Sequence, residues 1–523
     1  MRQVIAYDST LRDGAQAQGV SFTVEDKLKI VQRLDDLGIG YIEAGNPGSN
    51  PKDLAFFEQV TALQLKSAKI IAFGSTRKVG ATAAEDRNLQ SLLLANTSAV
   101  AIFGKSWDYQ VTDILRTSLE ENLNMISDTI GFLKSKEKEV VFDAEHFFDG
   151  YKANPNYAMQ TLEAAVKAGA DVLCLCDTNG GTFPDEISRM TKTVVDTFDV
   201  QIGIHCHNDC EMAVANSVAA VQAGASQVQG TINGIGERCG NANLCAIIPN
   251  LQLKLGMACI PPENMAALTS AARYVNEIAN MPFNEKAPYV GNDAFSHKGG
   301  MHIDAVSKNP MSYEHINPET IGNVRHILVS EVAGRSALLS KINAVDTSLN
   351  KDSPDTKRIL EHLKSLEHDG YQFESAESSF ELLVQRLLGK HQPFFTLKEY
   401  KVSTQESSTG LSSSASIRIA VGDQEETATA EGEGSVNALD KAVRKALERF
   451  YPAIQNMKLV DYKVRVLDSD KATAAKVRVL IESSDQRMAW TTVGVSTDII
   501  EASWHAMCDA IEYKLMRDAQ AAT

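Results

Sequence analysis

From its N-terminus to about residue 255 the chain alternates short β-rich apolar runs with amphipathic helical stretches. The runs are Val4–Asp8, Tyr41–Ala44, Lys69–Phe73, Ala99–Phe103, Val140–Ala144, Val172–Cys176, Ile202–His207 and Gln227–Asn233. Between them, Val24–Leu37 repeats apolar residues at three- and four-residue spacing and stops before Gly38, which predicts a helix. Pro51–Leu65, Asn154–Ala168, Pro184–Phe198 and Glu211–Ala223 read the same way. Eight strand–helix units in this length match a (β/α)8 barrel. An open doubly wound sheet is the alternative, but it calls for a Gly-rich loop after the first strand, and none follows Asp8.

The α/β barrel accounts for about half of the 523 residues. We expect a catalytic barrel over 1–275, small helical linker subdomains over 276–375, and an α+β domain over 376–523. The last part repeats itself: "LKEYKV" at 397–402 returns as "LVDYKV" at 459–464, and "SIRIAV" at 416–421 is echoed by "KVRVLI" at 476–481. A helix-forming stretch closes each half, so two strand–strand–strand–helix copies are expected. The Ser-rich segment 403–416 reads as a mobile loop between strands. Gly299–Gly300 and the polar stretch 346–357 read as further points of mobility.

Charge and thiols narrow the function classes. Lys+Arg is 51 against Asp+Glu 67, a formal charge of −16, which argues against nucleic acid or an anionic membrane as partner. No window approaches a membrane span, and Asp8, Arg12 and Asp13 interrupt the start before a leader's apolar stretch can form. Eight scattered cysteines suggest reduced thiols and a cytoplasmic enzyme.

Three strand ends carry the chemistry. His205 and His207 in "HCHND" are two apart, so a strand points both imidazoles to one face, the lumen, where they suit a divalent metal or two hydrogen-bonded polar roles without one. "YDSTLRDG" offers Asp13 as an oxygen ligand beside the cation Arg12, although Asp-Gly after a strand is also an ordinary turn. "NGIGERCGNANL" carries Glu237, Arg238 and Asn241, with Asn241 alternatively a helix cap. Such a mixed set with open positions favours a divalent Lewis acid. Cys174 and Cys176 share one strand face and read as core, His146 as packing or metal support, and Lys105 as a solvated lysine.

"DSTLRDG", "HCHND" and "GIGERCGNANL" together resemble the α-isopropylmalate synthase/homocitrate synthase/HMG-CoA lyase superfamily of metal-dependent barrels. "GNPGSNPKD", "FGKSWDYQV" and "DAEHFFDGYKAN" resemble its citramalate synthase branch, and the C-terminal repeat is similar to that family's regulatory domain. One departure is Ala15, where many synthases carry an acidic residue. The resemblance implies Asp13, His205, His207 and Asn241 as ligands of Mn2+, Mg2+ or Zn2+. It implies that Arg12 polarises a 2-keto acid and that Thr178 holds its carboxylate. Glu145, His302 and Tyr313 would share the proton transfers, in an order the sequence leaves open. The last two would arrive from the linker of a partner subunit in a homodimer. Acetyl-CoA and pyruvate are the implied substrates, with 2-ketoisovalerate as the alternative acceptor. Isoleucine is the implied effector at the C-terminal domain.

Overall fold

The computed structural model describes residues 2–298, 300–327, 342, 353–407, 410–467, 474–485 and 488–521. Gly299 and residues 346–352, parts of the two stretches expected to be mobile, lie outside the described residues. Gly300 opens a helix to Lys308, and Pro354–His368 is helical.

Eight parallel strands close into a barrel in chain order: β1 (Ile5–Asp8), β2 (Tyr41–Gly45), β3 (Lys69–Ser75), β4 (Ala99–Lys105), β5 (Glu139–Glu145), β6 (Val172–Asp177), β7 (Gln201–Cys206) and β8 (Gln227–Gly230). Pairing of β1 with β8, from Ile5↔Gln227 to Asp8↔Gly230, completes the ring and excludes the open sheet. Alternate residues point inward. Tyr7, Tyr41, Ile71, Ala101, Val141, Cys174 and Cys176 fill the lumen as one cluster. The other parity, such as Ala6, Ile42, Ala72, Val100, Phe142 and Leu175, packs under the helices in the main core.

The helices start and stop for local reasons. Val24–Leu37 opens on a capping box, in which Thr23 and Asp26 satisfy each other's backbone N–H groups. It ends at Gly38, whose φ of 95° only glycine adopts without strain. Pro51, Pro155 and Pro184 sit at first helical positions, where a missing N–H costs nothing. Two strands stop before the ends of their apolar runs. The seventh ends at Cys206, with His207 in an isolated bridge to Asn241, and the eighth ends at Gly230 before the turn Ile232–Gly234. The helix expected over 51–65 stops at Val60.

The chain divides into two compact units, Met1–Ser296 with Glu314–His326, and His297–Tyr313 with Ile327–Thr523. In the second, the strands Thr396–Ser407, Gly410–Val421 and Gln424–Gly432 precede the helix Ser435–Leu447. The strands Lys458–Val466, Val477–Ser484 and Ala489–Ser496 precede the helix Ile499–Ala521. Both sheets are antiparallel, and they share a core that includes Ile417, Ile419, Val443, Val479, Ile481, Trp490 and Trp504. The repeat reaches the irregularities: the first strand slips register between Leu397 and Glu399, its counterpart between Leu459 and Asp461.

Of the segment 403–416, residues 408 and 409 lie outside the described residues, and the rest is not loop: 403–407 and 410–416 are paired ends of two strands, with Thr404 opposite Ser413 and their hydroxyls 3.1 Å apart. Serine-rich composition misleads here, because strand formation follows cross-strand pairing more than intrinsic preference. Among the described residues, no helix is long and apolar enough to cross a membrane.

Candidate metal centre and active site

The C-terminal ends of the strands surround a cavity of about 590 Å³ lined by Arg12, Asp13, Glu145, Thr178, His205 and His207, among others. This is the end at which barrels of this kind carry their sites. The turn after β1 is built by Asp8, which accepts from the Thr10 backbone at 3.0 Å and the Thr10 hydroxyl at 2.7 Å. The Thr10 hydroxyl accepts in turn from the Ile232 N–H at 2.9 Å, tying this turn to the one after β8. Burial pushes the Asp8 carboxyl up to about 7.

Asp13 Oδ2 then lies 3.3 Å from His205 Nε2, 3.9 Å from His207 Nε2 and 3.2 Å from Arg12 Nη1. Burial alone would raise the Asp13 carboxyl, but Arg12 and the two histidines outweigh it and hold it far below the carboxylate range. Burial, and then the neighbouring His205, lower His207 to about 4, so its imidazole is neutral at pH 7. Asp13, His205 and His207 each offer a ligand atom within 4.8 Å of the others. The bridge from His207 to Asn241, with Ala242 N–H donating to Cys206 at 2.9 Å, docks the turn after β8 on the end of β7. Four buried atoms at this point have no hydrogen-bond partner among the described residues: Asp13 Oδ1, His207 Nδ1, and Asn241 Oδ1 and Nδ2. Buried acceptors left this way are costly, and a cation relieves the cost for the two oxygens, Asp13 Oδ1 and Asn241 Oδ1. The donor set of one carboxylate, two imidazoles and one amide fits a divalent cation.

A second set, Asp143, Cys174 and Cys176, is as compact. Burial pushes the Cys174 thiol far up, and the Cys176 thiol stands at about 11, so both are protonated at neutral pH.

Arg12 is held on three sides. Its Nε donates to Glu43 Oε1, its Nη1 faces Asp13, and its guanidinium lies 3.8 Å from the centre of the Phe73 ring. Glu43 is fully buried and also accepts from Tyr7 at 2.5 Å and Ser9 at 2.7 Å. Phe73 stacks on Phe103 at 5.3 Å, giving the cavity an aromatic wall beside the cation. Thr178 Oγ1 accepts from His146 N–H at 2.8 Å, which leaves the hydroxyl proton for a ligand. His146 itself is turned away, its Nδ1 3.0 Å from Asp149. Arg238 bonds Asp209 at 2.7 Å and the Thr178 carbonyl at 2.7 Å, stitching three loop ends together.

Lys105 departs from the expectation of a solvated lysine. Its side chain is 17% exposed and its ammonium pairs with Glu145 Oε2. That contact fixes which way the glutamate faces. In Lys105→Met we expect kcat to fall about 10–100-fold with KM within threefold, the signature of a misplaced group rather than lost binding. Steady-state kinetics check this, and unchanged kcat counts against a positioning role.

His302 and Tyr313 belong to the second unit, where their rings stack at 3.9 Å. Glu43, Asp143 and Gln229 were missed by sequence reasoning. Each is a polar residue at the inward parity of its strand, which was the available signal.

Residues 3–275 match the HMGL-like family model, 289–370 the homocitrate synthase post-HMGL domain-like model, and 374–515 the LeuA allosteric (dimerisation) domain. A curated (R)-citramalate synthase of Aquifex aeolicus is 54% identical over 99% of both chains, and that of Geobacter sulfurreducens 51% identical over 99% of both. The chain belongs to the citramalate synthase family. It is an enzyme of the acyltransferase, condensing type. A probable 2-isopropylmalate synthase of Methanopyrus kandleri is more distant, at 32% identity over 96% of both chains. Members of the HMGL-like family are metal-dependent, in keeping with the Asp13, His205 and His207 group.

Proposed function

We propose that the chain condenses acetyl-CoA with pyruvate and water to give (R)-citramalate and CoA. The observation that carries this reading is the buried Asp13, His205 and His207 group, set beside Arg12 and Glu145 in one cavity. The gap between 54% identity to a citramalate synthase and 32% to a probable isopropylmalate synthase supports pyruvate as the acceptor. Asp13, His205, His207 and Asn241 would hold Mn2+, Mg2+ or Zn2+, and such an ion supplies Lewis acidity to a keto acid's oxygens.

The chain's own residues do the rest. The Thr178 hydroxyl donates to the pyruvate carboxylate, and Arg12 donates to the keto oxygen. Glu145, with His302, removes a proton from the acetyl methyl, and the resulting carbanion carbon bonds to C2 of pyruvate. The carbonyl electron pair moves onto oxygen, where the Arg12 guanidinium stabilises the alkoxide. Burial opposes the charge on Arg12, but Glu43 and Asp13 outweigh it and keep the guanidinium protonated throughout. Water then adds to the thioester carbon and the CoA thiolate leaves. Tyr313 assists these transfers, and it arrives with His302 from the linker of a partner subunit in a homodimer. The match of 374–515 to a dimerisation domain supports that assembly, and free cysteines throughout support a cytoplasmic setting.

The test is free-CoA release with Mn2+ or Mg2+ and four acceptors: pyruvate, 2-ketobutyrate, 2-ketoisovalerate and 2-ketoglutarate. We expect the highest kcat/KM with pyruvate. A preference for 2-ketoisovalerate moves the chain to isopropylmalate synthesis, and no release with any acceptor removes the condensing role. We further propose that isoleucine binds the C-terminal repeat. Millimolar isoleucine should then raise the melting temperature and lower activity, since a ligand of the native state stabilises it.

A further inference from the structure

His205 and Gln229 face each other in register on β7 and β8. His205 Nδ1 lies 2.9 Å from Gln229 Oε1, and Gln229 Nε2 donates to Asp143 Oδ1 at 3.1 Å. All three side chains are buried, Gln229 completely. We propose that Gln229 is a positioning residue for the metal centre, carrying orientation from the Asp143 carboxylate to His205. The inference rests on the metal-site reading above.

A carboxylate at the far end takes the amide's N–H, so the amide must turn its carbonyl oxygen toward His205. A carbonyl only accepts, so His205 must carry its proton on Nδ1. In the neutral ring that a cation requires, the lone pair is then on Nε2, the nitrogen that faces Asp13 at 3.3 Å. The amide therefore selects both the tautomer and the ring rotation that a cation needs. A histidine ligand whose second nitrogen is unsupported loses that selection.

The experiment titrates Mn2+ into the metal-stripped full-length protein by calorimetry, with no substrate present. Gln229→Met keeps the volume and removes the bond, and should weaken Mn2+ about 10–100-fold. The paired exchange Gln229→Glu with Asp143→Asn keeps the lumen's charge and rebuilds the relay. The carboxylate introduced on β8 would accept from His205, and the amide introduced on β5 would donate to that carboxylate. We expect the paired variant's Mn2+ affinity to lie within threefold of the parent. Parent-like binding by Gln229→Met overturns the proposal. So does a paired variant as weak as Gln229→Met, because rebuilding the acceptor should restore the site. The paired variant is nearly isosteric, so it decides the question even where Gln229→Met folds poorly. A parent that takes up no Mn2+ removes the metal-site reading and this inference with it. A parent that binds Mn2+ while Gln229→Met matches it removes this inference alone.

Discussion

His205→Ala should lose at least about 10³-fold in kcat/KM for CoA release. Lewis-acid stabilisation of a developing alkoxide is worth several kcal/mol, and each 1.36 kcal/mol is tenfold in rate. His205 sits at the junction of the site, 3.3 Å from Asp13 on one side and 2.9 Å from Gln229 on the other. Alanine there leaves Asp13 with Arg12 as its nearest charge and strands the Gln229 carbonyl. Chelation of the parent should reproduce the loss, and added Mn2+ should restore the parent without restoring His205→Ala. Retention of more than a tenth of kcat/KM in the variant, or indifference of the parent to chelator, would show that the reaction does not depend on an ion at these residues.

The barrel was legible because its periodicities are local. Val24–Leu37 has the predicted bounds because its apolar spacing and the stop at Gly38 are local, as is the Thr23 cap that the structure adds. Strand ends were less legible, since an apolar run does not reveal where pairing stops. β7 ends at Cys206 because the chain turns to bridge His207 to Asn241, a contact from 34 residues away. Residues 403–407 and 410–416 were misread for the same reason: only antiparallel pairing makes them strand.

The site divides in the same way. Two histidines at period two and the Arg12-Asp13 pair stand out in one segment each, and the structure brings Asp13, His205 and His207 within 4.8 Å. Lys105 and Glu145 lie on adjacent strands, paired residue for residue in a register no composition rule shows. Glu43 and Gln229 belong to no motif that the sequence sets apart, and Asp143 stands in "DAEHFFDGYKAN" with no role of its own. Their meaning depends on which inward-facing neighbours closure of the barrel places beside them.

Glu43 gives the sharpest consequence of that closure. Fully buried, it takes hydrogen bonds from Tyr7, Ser9 and Arg12 and so sets where the guanidinium points. Glu43→Ala leaves a cation at the barrel mouth with Asp13 alone, and breaking one side of a buried ion pair costs about 3–5 kcal/mol. The barrel's melting temperature should fall accordingly. On the proposed role of Arg12, kcat should fall about 10²-fold as its guanidinium swings toward Asp13 and away from the substrate oxygen it would polarise. Glu43→Gln separates the two effects. Its amide oxygen still accepts from Arg12 Nε, so position is largely kept while the countercharge is lost. We expect the glutamine variant to melt closer to the parent than the alanine variant and to retain more of its kcat. Equal kcat in the parent and Glu43→Ala would show that Phe73 and Asp13 suffice to aim Arg12. A glutamine variant as inactive as the alanine one would mean that charge, rather than aim, is what Glu43 provides.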